Sequence, residues 1–227
     1  MKKSTILIIS TLLAVIIGVF YFTGYSHAPV TDESPAVQNE EINTNEIKNK
    51  NTSSLKISEE ESSVEFSIGE ILNGKDFTAK GMTNKISGDI SFSKKDDSSV
   101  DVSIKNILVD ARDFKTDSEN RDKAISGFIL RSKNNENFNF IKFTPDESIV
   151  NMTPGVKKNF ELSGDLTISG ITKKATFNLA LIFGEDTLSG EANTKIKRSD
   201  FDLKVPSVPF VAEVNDEFNV DVKILAK

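Results

Sequence analysis

Chemistry needs side chains that move protons, attack as nucleophiles or hold metal ions, and this sequence is poor in them. It contains no Cys, no Trp, one His and two Tyr. The histidine is His27 and the tyrosines are Tyr21 and Tyr25, so everything beyond the first 30 residues lacks imidazole, thiol, phenol and indole groups. Disulfides, thiolate metal sites and cysteine nucleophiles are excluded. A serine triad lacks its histidine base, while Ser–Lys pairs stay open. What remains is Ser, Thr, Asp, Glu, Lys and Arg.

Four groupings of those residues can be weighed. Asp110, Asp113 and Asp117 form a D-x-x-D-x-x-x-D run. A Ca²⁺ loop needs converging oxygens and a sharp turn, usually at Gly, and no Gly lies there. Asp200 and Asp202 stand two apart, the spacing of a carboxylate pair on one face of an extended strand. Solvent-facing charge is the plainer reading. Lys94-Lys95 and Lys157-Lys158 read as turn and edge charges that discourage sheet-to-sheet association. Arg121-Asp122 precedes an apolar run, and Arg can pair bidentately with a carboxylate. It either pins a helix in place or meets the polar head of a ligand.

The elements that must position these residues begin with a membrane-like segment. Lys2 and Lys3 are followed by an uncharged stretch whose apolar centre runs from Ile6 to Phe22. About 20 helical residues span about 30 Å, the thickness of a hydrocarbon core. Tyr21 and Tyr25 fall at the interfacial belt, and the lysines favour a cytoplasmic N-terminus. Residues 1–26 therefore read as a single-pass anchor, with the rest of the chain outside the cytoplasm. Ser26-His27-Ala28 also fits a signal-peptidase site, which would make the protein secreted or periplasmic. Residues 27–57, with Pro29, Pro35 and four Asn between positions 39 and 49, show no hydrophobic period and read as a disordered linker.

From residue 58 to 227 the pattern is β. Val64–Ile68, Ile86–Phe92, Val100–Ile104, Phe160–Leu162, Leu166–Ile168, Thr176–Leu181 and Val220–Ile224 alternate apolar and polar residues. Period two means one buried and one wet face per strand. Turn signals at Pro154-Gly155, Ser169-Gly170 and Gly184–Asp186 separate them, as in a sandwich or barrel. Thr116–Leu130 differs. A cap candidate at Asp117 or Ser118 precedes Ala124, Ile125, Phe128 and Ile129, which share one side of a short helix. Residues 58–227 hold 14 of the 16 phenylalanines, and an eight-stranded barrel has room for one small ligand. The net charge of −6 argues against nucleic acid, whose phosphates need a basic face.

The order Arg121-Asp122, Ile141-Lys142-Phe143, Leu162 to Lys173 (LSGDLTISGITK), Arg198-Ser199-Asp200-Phe201 and the acidic turn Asp216-Glu217 resembles the YceI-like family of extracytoplasmic polyisoprenoid- and lipid-binding proteins. The resemblance covers about three-quarters of the chain. Departures are local: Lys123-Ala124 stand where the family often has His-Leu, and Asp202 where it usually has Gly.

The resemblance implies an all-β fold, an antiparallel eight-stranded lipocalin-like barrel with a short helix, and an apolar pore for a prenyl chain such as a quinone tail. It implies no cofactor and no catalysis. Candidate ligand-binding residues are the inward positions of the strands: Phe66 and Ile68, Ile90 and Phe92, Ile104, Phe143, Leu162 and Ile168, and Phe177 and Leu179. Phe128 joins them from the helix, and Phe201 and Phe210 from the C-terminal part. Taken singly, each reads more readily as plain core than as pore lining. The expected partners are an isoprenoid or other lipid ligand and the membrane, with a homodimer compatible with the sequence. The rival reading is a barrel with a filled interior that serves protein interaction or adhesion.

Overall fold

The computed structural model describes residues 52–96, 98–206 and 211–227. The anchor expected over 1–26, most of the linker expected over 27–57, and Phe210 lie outside the described residues. Among the described residues, eleven strands form one antiparallel sheet: β1 (Thr52–Leu55), β2 (Ser63–Leu72), β3 (Lys75–Thr83), β4 (Ile86–Asp96), β5 (Ser99–Asp110), β6 (Phe140–Pro145), β7 (Ile149–Met152), β8 (Lys158–Ile168), β9 (Ile171–Gly184), β10 (Thr187–Lys197) and β11 (Val211–Ala226). Their order is β1-β4-β5-β6-β8-β9-β10-β11-β2-β3, with β7 also on β5. The sheet curls around one apolar interior, because alternate residues of nearly every strand are buried on the same side, as at Val100, Val102 and Ile104 of β5.

The strand count departs from the expected eight. β6 and β7 occupy successive stretches of the β5 edge, Ile107–Asp110 and Val100–Ser103. The strand that would run the whole length is broken after Pro145, which has no N–H to continue a ladder. β1 is added from the polar stretch read as linker. Its Leu55 and the following Ile57 are buried, and Lys56 and Lys227 exchange backbone hydrogen bonds at 2.8 and 2.9 Å. Residues 52–57 thus run from the edge of β4 to the end of β11.

The closed barrel is also revised. Among the described residues no ladder joins β3 to β4. Instead the chain after β5 covers the free edge of β3, where Met82 and Lys115 exchange both backbone hydrogen bonds at 2.8 Å. Phe114 of that segment packs on Phe66 of β2, with ring centroids 5.6 Å apart.

Two glycines explain the L-S-G-D-L-T-I-S-G run. Ser169 and Gly170 both have positive φ (49° and 82°) in the two-residue turn between paired Ile168 and Ile171, the turn type whose twist suits a hairpin. A Cβ on Gly164 would stand 2.4 Å from the Thr144 carbonyl oxygen and 2.7 Å from Pro145 Cα, so only glycine lets β8 approach β6 this closely.

The helix is shorter than its pattern. Ser118 is the N-cap residue of α1 (Glu119–Ala124), which continues as a π turn over Ile125–Ile129. The Leu130 N–H donates to the Ile125 carbonyl at 2.8 Å, the i→i+5 bond of that wider turn.

Candidate functional site

The sheet encloses a cavity of about 580 Å³. Its β2 wall presents Val64, Phe66 and Ile68, and its β4–β5 wall Ile90, Ile104 and Ile107. β8 and β9 contribute Leu162, Leu166, Ile168, Phe177, Leu179 and Leu181, and β11 contributes Phe218, Val220, Val222 and Ile224. Phe143 and Phe177 meet edge to face at 4.9 Å. The floor is packed. Phe92 and Phe183 meet at a tilt of 55° with ring centroids 4.9 Å apart, and they, Val100, Val102 and Met152 are all buried. Here the interior is filled, as the interaction-module reading expects.

Nine of the thirteen candidate residues line the cavity: Phe66, Ile68, Ile90, Ile104, Phe143, Leu162, Ile168, Phe177 and Leu179. Three do not. Phe92 belongs to the packed floor. Phe201 is 2% exposed and anchors the 3₁₀ turn Arg198–Phe201. Phe128 is 70% exposed, because the π turn widens the helix and rotates it off the face that Ala124, Ile125 and Ile129 present to the cavity. Phe210 is not described. The β11 wall was missed, although its alternation over Val220–Ile224 carried the signal.

Among the described residues the lining is apolar except for Glu70, Asn120, Arg121 and Arg198. These gather at one end. The Arg121 guanidinium donates to Glu70 Oε1 at 3.1 Å and to Asp117, and lies 5.6 Å from the Phe77 ring centroid. The Glu70 side chain is only 7% exposed. Glu70 shares the parity of Val64, Phe66 and Ile68, which is the sequence signal that it faces inward. Arg198 donates from Nε to the Asn215 carbonyl, from one terminal nitrogen to Leu203 and from the other to Val214, at 2.8, 2.9 and 3.1 Å. Val214 is the register partner of Glu70, which places both arginines at this end.

The remaining motif residues hold the frame. Asp122 accepts from the Thr116 N–H and hydroxyl, both at 2.7 Å, and fixes the start of α1. Ser199 donates to Asp216 from N–H and Oγ at 2.9 and 2.7 Å, and these bonds hold the Asp216 carboxyl below the usual carboxylate range. The three aspartates of the D-x-x-D-x-x-x-D run engage separate partners: Asp110 takes Arg112, Asp113 the Thr83 hydroxyl and Asp117 Arg121. Asp200 and Asp202 sit in and after the 3₁₀ turn, not on a strand, and Asp202 pairs with Lys204 at 3.2 Å.

Residues 55–226 match the protein-family profile described as YceI-like domain. No curated protein matches the chain. Among solved structures, it is similar to a polyisoprenoid binding domain from Saccharophagus degradans implicated in plant cell wall breakdown. Identity is 12% and the TM-score 0.60, over 76% of this chain and 97% of that one. It is also similar to BcnA from Burkholderia cenocepacia, at 19% identity and TM-score 0.54, over 75% of this chain and 99% of the other. At these identities the likeness shows the fold.

Proposed function

The chain belongs to the YceI-like domain family, and on that premise we propose that it binds an amphiphilic isoprenoid or related lipid, with the apolar tail in the cavity and the head at its polar end. The observation that carries this reading is the segregation of the lining, apolar along the walls with Glu70, Asn120, Arg121 and Arg198 together at one end. A lipid has that same division. The polyisoprenoid binding domain among the structural neighbours supports the choice of ligand class.

The size is consistent. At about 30 Å³ for each water-sized group, 580 Å³ takes roughly twenty such groups, the bulk of a medium-length prenyl or acyl chain. Each buried CH₂ contributes about 0.8 kcal/mol relative to water. Bilayer lipid offers the same tail an equal environment, so transfer between membrane and protein is near balance. That suits a carrier or buffer. The apolar run Ile6–Phe22 behind Lys2-Lys3 supports tethering beside a membrane, with the domain on its outer side. Glu70, Asn120, Arg121 and Arg198 supply hydrogen-bonding groups that suit holding a head group.

The test is native mass spectrometry of the full chain purified from bacterial membranes in neutral detergent, with solvent extraction of the same sample. A discrete added mass of lipid size, recovered in the extract, is expected. A bare polypeptide that stays bare after incubation with prenyl lipids would sink the proposal and favour the filled-barrel reading.

A further inference from the structure

We infer that Glu70 makes the polar end of the cavity selective for an uncharged, hydrogen-bonding head group and against phosphate or carboxylate heads. The inference rests on the lipid-binding reading above and adds the head-group class. An arginine facing an apolar cavity would ordinarily attract an anion. Here Arg121 is already engaged, with Glu70 on one terminal nitrogen and Asp117 on the other. Arg198 directs all three of its nitrogens to backbone carbonyls and has Asp216 in its field.

Glu70, 7% exposed, is thus the buried carboxylate at this end, and the Arg121 guanidinium is divided between it and Asp117. A phosphate placed there would meet a buried carboxylate with its cation taken, and like charges in a poorly solvated site repel strongly. An uncharged head meets no such penalty. Among the described residues, Glu70 Oε1 takes the bond from Arg121 while no donor reaches Oε2. Asn120, also in the lining and next to Arg121 in sequence, offers an amide that both donates and accepts. A hydroxyl head fits both.

The experiment compares two ligands with the same twenty-carbon prenyl tail, geranylgeraniol and geranylgeranyl phosphate, on the full chain in a neutral sugar detergent. Binding is read as bound fraction by native mass spectrometry across a titration. Wild type is expected to favour the alcohol at least tenfold. Glu70→Gln keeps the shape and a hydrogen-bond acceptor but removes the carboxylate charge that faces the cavity and one of the two carboxylates on Arg121, so the preference should fall below threefold or reverse. The wild-type comparison stands alone if the variant does not fold. Equal binding of both ligands by wild type, or a tighter phosphate, overturns the head-group inference and leaves the lipid-binding reading intact. An unchanged preference in folded Glu70→Gln removes Glu70 from the role. Binding of neither ligand overturns both.

Discussion

At the scale of single residues, the charged groups of this protein chiefly tie backbone segments together. Arg198 is the clearest case. Three charge-assisted bonds join the turn after β10 to Leu203 and to the irregular start of β11. A lysine delivers one point charge and cannot span three carbonyls. Arg198→Lys should cost about 2 kcal/mol, which for a domain of this size lowers Tm by about 4–8 °C. A thermal melt followed by circular dichroism reads this, and an unchanged Tm would deny the staple its role. The acid response follows from the same kind of contact. Arg112 beside Asp110, and Ser199 beside Asp216, hold those carboxyls below their ordinary values. The unfolded chain then takes up protons first as pH falls, so this stability is complete above about pH 4 and is lost as pH drops through the lowered folded values. The urea midpoint should be level from pH 7 to 5 and fall below about pH 4, with a shallower fall in Asp216→Asn. A midpoint at pH 3 equal to that at pH 7 would contradict it. Arg198 and Arg121 were visible in the sequence as motif members, but their partners were not. Backbone carbonyls such as that of Val214 have no sequence signature, and Glu70 looks like any strand glutamate until its parity is compared with Phe66 and Ile68.

At the scale of elements, alternation located the strands whose inward residues are large. β2, β4, β5, β8, β9 and β11 all contain a run of Val, Ile, Leu or Phe at every second place. β10 escaped because its inward face carries Gly190, Ala192 and Thr194 between Leu188 and Ile196, too small and polar to register as a period. β1 escaped because Leu55 is its one buried residue. The helix pattern failed at Phe128 because a π turn changes the phase within one turn, and side-chain spacing assumes a constant one. Two glycines give opposite predictions. Gly164→Ala drives a methyl into the backbone of Thr144 and Pro145, which cannot rotate away, so it should destabilise by about 1–3 kcal/mol. Gly127 lies in the π turn with open space where its Cβ would be, and Gly127→Ala should stabilise by about 0.5–1 kcal/mol through the unfolded chain. Melts of the two variants side by side should move in opposite directions. A Gly164→Ala melt equal to wild type would mean that β6 and β8 are not in the close register described.

At the scale of the whole molecule, the question is whether the interior is space or core, and composition could not decide it. The same inward Phe, Ile and Leu fill a narrow barrel or line a wider one, and the radius depends on how many strands share the curl. Here the additional strands and the edge covered by Phe114 leave about 580 Å³ above a packed floor. That space can be filled deliberately. Ala192 of β10 lines the cavity, and Ala192→Phe would put a ring into existing volume. In an ordinary core such an insertion costs about 1–3 kcal/mol. In a true cavity the ring gains burial, and the apo protein should melt at or above the wild-type temperature. Ligand then separates the two proteins. A lipid at 100 times its dissociation constant should stabilise wild type by about 2.7 kcal/mol, a rise in Tm of about 5–11 °C, and should leave Ala192→Phe unmoved because its site is occupied. Both melts are needed together. An apo Ala192→Phe that melts several degrees low shows that the interior was already full, whereas a stable variant that still shifts with lipid shows that the lipid binds somewhere other than this cavity.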